Sequence, residues 1–159
     1  MIERVIVEAD GGARGNPGPA GYGAVVLDPD SGDVLAERAE ALGTATNNVA
    51  EYSGLIAGLT AALELGARVV DVRMDSKLVV EQMSGRWQIK HPGLRPLAAE
   101  AARLVRRFES VELRWIPRAQ NTRADALANA AMDAAAGKPP GKARAGRVDP
   151  AALPIPAAD

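Results

Sequence analysis

Residues 4–27 read RVIVEADGGARGNPGPAGYGAVVL, and their reading decides the fold. Arg4 to Asp10 is a β-branched run ended by Gly11-Gly12, which makes Asp10 the last residue of a first strand. Gly11 to Gly23 holds six glycines and two prolines, the composition of a tight turn into a second strand at Tyr22–Leu27. Asp28-Pro29-Asp30-Ser31-Gly32 is a hairpin turn, and a third strand follows at about Val34–Leu42. Three consecutive strands with short links form an antiparallel meander.

Beyond the meander the hydrophobic period lengthens. Val49, Leu55, Leu59 and Leu63 follow helical spacing, with Asn47 or Asn48 as the cap and Gly66 as the stop. Val69–Met74 is a short buried strand ending at Asp75, and Ser76 caps a helix to about Ser84. A loop from Gly85 to Pro96, a helix at about Leu97–Phe108, a strand at Val111–Ile116 and an Ala-rich helix from Thr122 to Ala136 complete the pattern. A meander followed by βαβ crossovers predicts an α/β fold, a five-stranded mixed sheet with helices on both faces.

Composition narrows the chemistry. The 159 residues suit one domain, and with 32 alanines and five aromatic residues its core must be aliphatic. Without Cys there is no disulfide scaffold, zinc-thiolate site or Cys nucleophile. The single histidine, His91, excludes a multi-His metal site, so metal chemistry must use oxygen ligands. No apolar run approaches the roughly 20 residues that span a bilayer, and Met1 leads directly into a strand, so a cytoplasmic protein with no membrane partner is expected. Nineteen basic and 20 acidic residues give a net charge of −1, which is not the usual footprint of a nucleic-acid binder. Acidic residues that hold divalent cations can nevertheless bind phosphates.

Four acids fall at element ends. Asp10 and Asp75 terminate strands, whereas Glu51 and Asp125 open helices. Strand carboxyl ends and helix amino ends meet at the ligand-binding edge of open α/β sheets. Carboxylates brought together there repel one another unless protonated or neutralised, and divalent metal is the simplest neutraliser. Two Mg²⁺ ions about 4 Å apart would activate water for phosphodiester hydrolysis. Taken singly, each acid also fits a turn or a helix-dipole role.

The surrounding motifs settle that ambiguity. Asp10-Gly11-Gly12-Ala13-Arg14-Gly15-Asn16-Pro17-Gly18-Pro19-Ala20-Gly21-Tyr22-Gly23 resembles the first motif of type 1 ribonucleases H. Thr46-Asn47-Asn48-Val49-Ala50-Glu51 resembles their second motif, Asp75-Ser76 their third, and Asn121-Thr122-Arg123-Ala124-Asp125-Ala126-Leu127-Ala128 their last. The resemblance spans residues 1–136 and implies the RNase H-like sheet, with the first strand beside the fourth. It also implies hydrolysis of the RNA strand of RNA–DNA hybrids with Mg²⁺ or Mn²⁺, two ions per site when substrate is bound. Asp10, Glu51, Asp75 and Asp125 match the family's metal-binding acids. By that resemblance Asp10 bridges both ions, Glu51 holds the leaving-group side and contacts a ribose 2′-hydroxyl, Asp75 assists, and Asp125 anchors the attacking-water ion. Products would carry 5′-phosphate and 3′-hydroxyl ends.

Substrate contacts have candidates of their own. Gly11, Gly12 and Asn16 allow close backbone approach to a 2′-hydroxyl, or are simple turn residues. Asn47 and Asn48 suit base edges in the minor groove, and Thr46 suits a phosphate of the DNA strand. Lys77 and Arg86 are possible phosphate contacts. Where many relatives carry a mobile histidine before the last acid, this chain reads Pro117-Arg118-Ala119-Gln120-Asn121. Arg118 is the stand-in for contacting the scissile phosphate or aiding product release, although a guanidinium is never a general base. Some relatives insert a basic, Trp-bearing helix after the third motif; here only Gly85-Arg86-Trp87-Gln88-Ile89-Lys90-His91-Pro92 is present. Trp87 is either a reduced version of that grip, stacking on DNA sugars, or a core residue. Glu8, on the face of Asp10, is either an additional charge at the site rim or, the favoured reading, a structural acid paired with an arginine.

Two alternatives remain open: a non-catalytic hybrid-binding or partner-tethering module, and cleavage of duplex DNA, which the motif details disfavour. Residues 137–159 hold five of the eleven prolines and no aromatic residue, the composition of a flexible linker. The motifs further resemble the amino-terminal domains of actinobacterial bifunctional proteins in which an RNase H precedes a histidine-phosphatase-like domain. That resemblance implies a carboxy-terminal phosphatase-like domain beyond the linker. A monomer is expected.

Overall fold

The computed structural model describes residues 2–137. Within them the chain runs β1 (Arg4–Ala13), β2 (Gly18–Leu27), β3 (Val34–Ala45), α1 (Asn47–Glu64), β4 (Val69–Met74), α2 (Lys77–Met83), α3 (Arg95–Val105), β5 (Ser110–Trp115), a 3₁₀ turn (Arg118–Gln120) and α4 (Thr122–Ala135). The five strands form one sheet in the order β3-β2-β1-β4-β5. β1, β2 and β3 pair antiparallel, whereas β4 lies parallel to both β1 and β5. The expected mixed sheet is therefore present, with β1 beside β4. The segment expected to be a linker, from residue 138 onward, lies outside the described residues.

The Gly-rich run corrects the sequence reading. Asp10 does not end its strand, because β1 continues to Ala13 and β2 already begins at Gly18. Gly11 pairs with Tyr22, Gly12 with Gly21, and Ala13 with Ala20. These glycines serve packing across the sheet rather than a turn. A Cβ at Gly11 would lie 2.2 Å from the Ala50 carbonyl oxygen of α1. One at Gly23 would lie 2.5 Å from the Leu127 Cβ of α4. Bare backbone thus lets a helix settle closely on each face. Gly54 completes the seam from the helix side, since a Cβ there would reach within 2.7 Å of the Asp10 carbonyl oxygen.

The main core lies between the sheet and α1, α2 and α3, and is aliphatic as composition requires. Val5, Val7, Leu55, Leu59, Val70, Val72 and Met74 are all fully buried there. Each large aliphatic side chain so buried contributes about 1.5–3 kcal/mol. A smaller cluster of Val25, Leu27, Ala39, Leu127 and Ala130 fills the opposite face beneath α4. Among the described residues no helix is long and apolar enough to cross a membrane.

Helix starts deviate from expectation in two places. Thr46, not Asn47 or Asn48, caps α1, its hydroxyl accepting from the Val49 N–H at 3.3 Å. Asn47 is committed elsewhere: its Oδ1 accepts from the Ala13 N–H at 2.7 Å, and its own N–H donates to Asn16 Oδ1 at 3.0 Å. α3 begins at Arg95 because Pro96 in the first turn needs no hydrogen-bond acceptor there. Ser76 caps α2 as expected, accepting from Val79.

Candidate active site

Each acid reaches the sheet edge by a different route. Asp10 stands on β1, and Glu51 projects from the second turn of α1, which the glycine seam holds against that strand. Asp75 sits on the bend just after β4, one step beyond the Ala9–Met74 pair, and so lies beside Asp10. Asp125 lies in the first turn of α4. The four line one cavity of about 470 Å³ with Gly11, Gly12, Ala13, Arg14, Asn47, Asn48, Arg118, Asn129 and Met132.

The electrostatics are those of crowded carboxylates. Burial pushes the Asp10 carboxyl up to about 8, reinforced by the charge of Asp75 and by the Asp125 carboxyl in hydrogen-bond contact. Burial likewise pushes Glu51 up to about 9, with Asp10 and Asp75 adding to the effect. The Gly11 N–H works against both shifts and donates to Glu51 Oε1 at 3.1 Å. Among the described residues no three acidic or imidazole side chains are grouped tightly enough to hold one ion by themselves. Mg²⁺ asks for less, since it keeps several waters and takes one or two carboxylates plus substrate phosphates. Hard oxygen donors with incompletely neutralised charge fit such ions; these four carboxylates provide both.

Arg118 stands at the mouth of the cavity, in the 3₁₀ turn, with its Nη2 3.2 Å from Asp125 Oδ1. Arg14 is pinned to α4, pairing with Asp133 at 2.9 Å and donating to Asn129 Oδ1 at 3.2 Å. Asn16, Asn47 and Thr46 form the joint between the β1–β2 turn and the start of α1, so their side chains carry structural bonds. Glu8 faces Arg123 and Arg73, whose charges partly offset the upward push of burial on its carboxyl.

A second cavity, of about 550 Å³, adjoins the start of α1. Asn48, Gln82, Trp87, Lys90 and His91 are among its lining residues. Trp87 is 47% exposed, so it is not a core residue. The loop carrying it is tied down from below: the buried Tyr52 hydroxyl donates to Gln82, whose amide donates to the Gln88 carbonyl. Arg86 and Lys77 are less available than the sequence suggests. Arg86 donates twice to Glu81, at 2.6 and 2.8 Å, and the Lys77 ammonium lies 3.7 Å from the same carboxylate.

Two residues that the sequence shows only as parts of a motif or strand also hold the site. Asn121 is fully buried, and its amide donates to the Ala9 carbonyl at 2.9 Å and to Asp75 Oδ1 at 2.8 Å. Trp115, 46% exposed, donates its indole N–H to the Asp75 carbonyl at 3.3 Å. Their partners are 40 or more residues distant, and no local pattern signals such bonds.

Comparison with known proteins agrees with the architecture. A family model described as Reverse transcriptase-like matches residues 8–131. The bifunctional protein Rv2228c of Mycobacterium tuberculosis is 63% identical over 133 residues, covering 84% of this chain. The chain spans only 36% of that protein's length. The solved N-terminal RNase H domain of the same protein superposes with a TM-score of 0.83 at 62% identity, over 85% of this chain and 97% of that one. LC11-RNase H1, solved in complex with an RNA/DNA hybrid, gives a TM-score of 0.78 at 42% identity, over 83% and 99% of the two chains.

Proposed function

The chain belongs to the type 1 ribonuclease H family, and from that premise we propose that it hydrolyses the RNA strand of RNA–DNA hybrids, leaving 5′-phosphate and 3′-hydroxyl ends. One observation carries the reading: four carboxylates from β1, α1, the bend after β4 and α4 face a single polar cavity. In this proposal Asp10, Glu51, Asp75 and Asp125 hold Mg²⁺ or Mn²⁺, two ions with substrate bound. Such ions, when bound, supply an activated water and charge stabilisation at the leaving oxygen.

The protein's own part is to position and to neutralise. β1 and the first turns of α1 give Asp10 and Glu51 backbone-rigid placements, so little reorganisation is needed as the phosphate enters. Gly11 and Gly12 line the cavity with bare backbone suited to a ribose 2′-hydroxyl, Asn16 is bonded to Asn47, and Asn47 and Asn48 carry amides suited to minor-groove edges. Thr46 would meet a DNA-strand phosphate, Lys77 and Arg86 the outer backbone, and Trp87 the sugars. Arg118 pairs with Asp125 in the free protein, and in this reading it passes that contact to the scissile phosphate. The site draws on one chain only, so the reading requires no second copy, and a cytoplasmic location is part of it.

The 63% identical relative is named a bifunctional protein and is longer than the matched region, which supports a second domain in the full-length protein; that this domain is carboxy-terminal and phosphatase-like is part of the proposal. A stop codon directly after Asp159 in the natural gene would contradict that extension. For the activity itself, labelled RNA–DNA hybrid, duplex RNA and duplex DNA are each incubated with the protein in Mg²⁺ and in Mn²⁺. Cleavage confined to the RNA strand of the hybrid is expected. Binding without cleavage in either metal would leave a hybrid-binding module instead.

A further inference from the structure

The Asp75 acid differs from the other three in lacking a regular element beneath it. Asp10 lies in a strand and Glu51 and Asp125 in helices, but Asp75 occupies a bend. Its carboxylate is held by one buried side chain, Asn121. That residue stands at the N-cap of α4, where asparagine is among the preferred capping residues, yet its side chain makes no capping bond. The amide is turned instead toward β1 and the end of β4, and Oδ1 is left buried with no partner among the described residues. Burying an acceptor unpaired is unfavourable, so such an atom calls for an explanation.

The explanation lies in the two acceptors. Ala9 oxygen and Asp75 Oδ1 both require a donor, and rotating the amide would set its own oxygen against them. The same residue uses its backbone carbonyl to accept the Asp125 N–H at 3.0 Å. Asn121 therefore touches the residue before Asp10, the Asp75 carboxylate and the Asp125 backbone, tying β1, β4 and α4 together at the acids.

We propose that Asn121 is a positioning residue, which sets the Asp75 carboxylate relative to Asp10 and Asp125 and thereby tunes the divalent-metal affinity of the site. The inference rests on the metal-dependent reading of the four acids, but its test does not require turnover. Losing an outer partner of a metal ligand typically weakens metal binding or activity by about 10–100-fold.

The metal-free full chain is titrated calorimetrically with Mn²⁺ alone as wild type, Asn121→Asp, Asn121→Ala and Ala130→Gly. The aspartate keeps the shape and replaces the donor by a third oxygen facing two acceptors, and the alanine removes the group. Ala130→Gly loosens the same helix at a buried position that packs in the cluster with Val25 and Leu27 and does not line the acid cavity. Melting temperature, and kcat and KM on hybrid, are measured for each. Both Asn121 variants are expected to bind Mn²⁺ at least roughly 10-fold more weakly, with kcat falling and KM within about twofold. Ala130→Gly is expected to lower the melting temperature and leave Mn²⁺ binding unchanged. Unchanged Mn²⁺ affinity in folded Asn121 variants would overturn the proposal, as would an equal loss in Ala130→Gly or the failure of both Asn121 variants to fold. Should the wild type bind Mn²⁺ but cut no hybrid, the activity reading fails alone and the titration still decides the role of Asn121.

Discussion

The two sides of the acid cavity are built differently. On the α1 side, Asp10 and Glu51 are set by backbone against backbone, with Gly11 and Gly54 closing the seam so that no side chain intervenes. On the other side, Asp75 is set by two side-chain hydrogen bonds, from Asn121 and Trp115, and Asp125 is partnered by an exposed arginine. The first side is rigid and intolerant, since main chain cannot move away from an added methyl group. The second rests on side chains, and a substitution there is expected to shift one carboxylate while the sheet stays folded.

The largest effect on that contrast is expected from Gly11→Ala. Its Cβ would meet Ala50 main-chain atoms at 2.2 and 2.3 Å, so a loss of about 3 kcal/mol in denaturant unfolding is expected. A loss under about 1 kcal/mol would mean that α1 can slide and that the rigid side is not rigid.

A pH titration of stability comes next. In the folded metal-free protein the Asp10 and Glu51 carboxyls are raised to about 8 and 9, above their ordinary values near 4. The native state therefore binds more protons than the unfolded chain between those limits, and unfolding free energy falls as pH rises across that window. From pH 5 to pH 8 the metal-free protein is expected to lose at least about 1.4 kcal/mol, the equivalent of one pKa unit. Saturating Mg²⁺ should recover most of it, and Asp10→Asn should flatten the slope. A metal-free protein equally stable at both pH values would contradict the crowding of charge on the α1 side.

On the second side, Trp115→Phe keeps the ring and loses the bond to the Asp75 carbonyl. A kcat drop of roughly fivefold, the equivalent of about 1 kcal/mol, is expected in hybrid-cleavage kinetics, with the melting temperature little changed. Arg86→Ala should do least. Its exposed guanidinium is already engaged by Glu81, so its removal should raise KM in hybrid-cleavage kinetics by no more than about threefold.

The same contrast governs what could be read from the chain. The order of elements and the meander follow from local pattern, which also raises the convergence of Asp10, Glu51, Asp75 and Asp125 as one reading; the motif resemblance is needed to choose it, since each acid alone fits a turn or a helix dipole. The order of strands in the sheet came with the family resemblance, not with periodicity. The Gly-rich run was legible as glycine but not as strand. Glycine ordinarily marks a turn, and the reason for it here is a helix about 40 residues away in sequence. Asn47 fits a cap by local rules and is drawn off by Ala13, 34 residues distant, which leaves the cap to Thr46. Asn121 was hidden in the same way, since an asparagine before a helix already has a sufficient local explanation.

Cleavage of a labelled RNA–DNA hybrid by wild type and Asp10→Asn, side by side in Mg²⁺ and with product ends identified, addresses the cavity's assignment most directly. RNA-strand products with 5′-phosphates are expected from the wild type. A folded Asp10→Asn protein is expected to cleave more than roughly 100-fold more slowly, beyond the loss of any outer partner. Undiminished cleavage by Asp10→Asn would contradict that assignment.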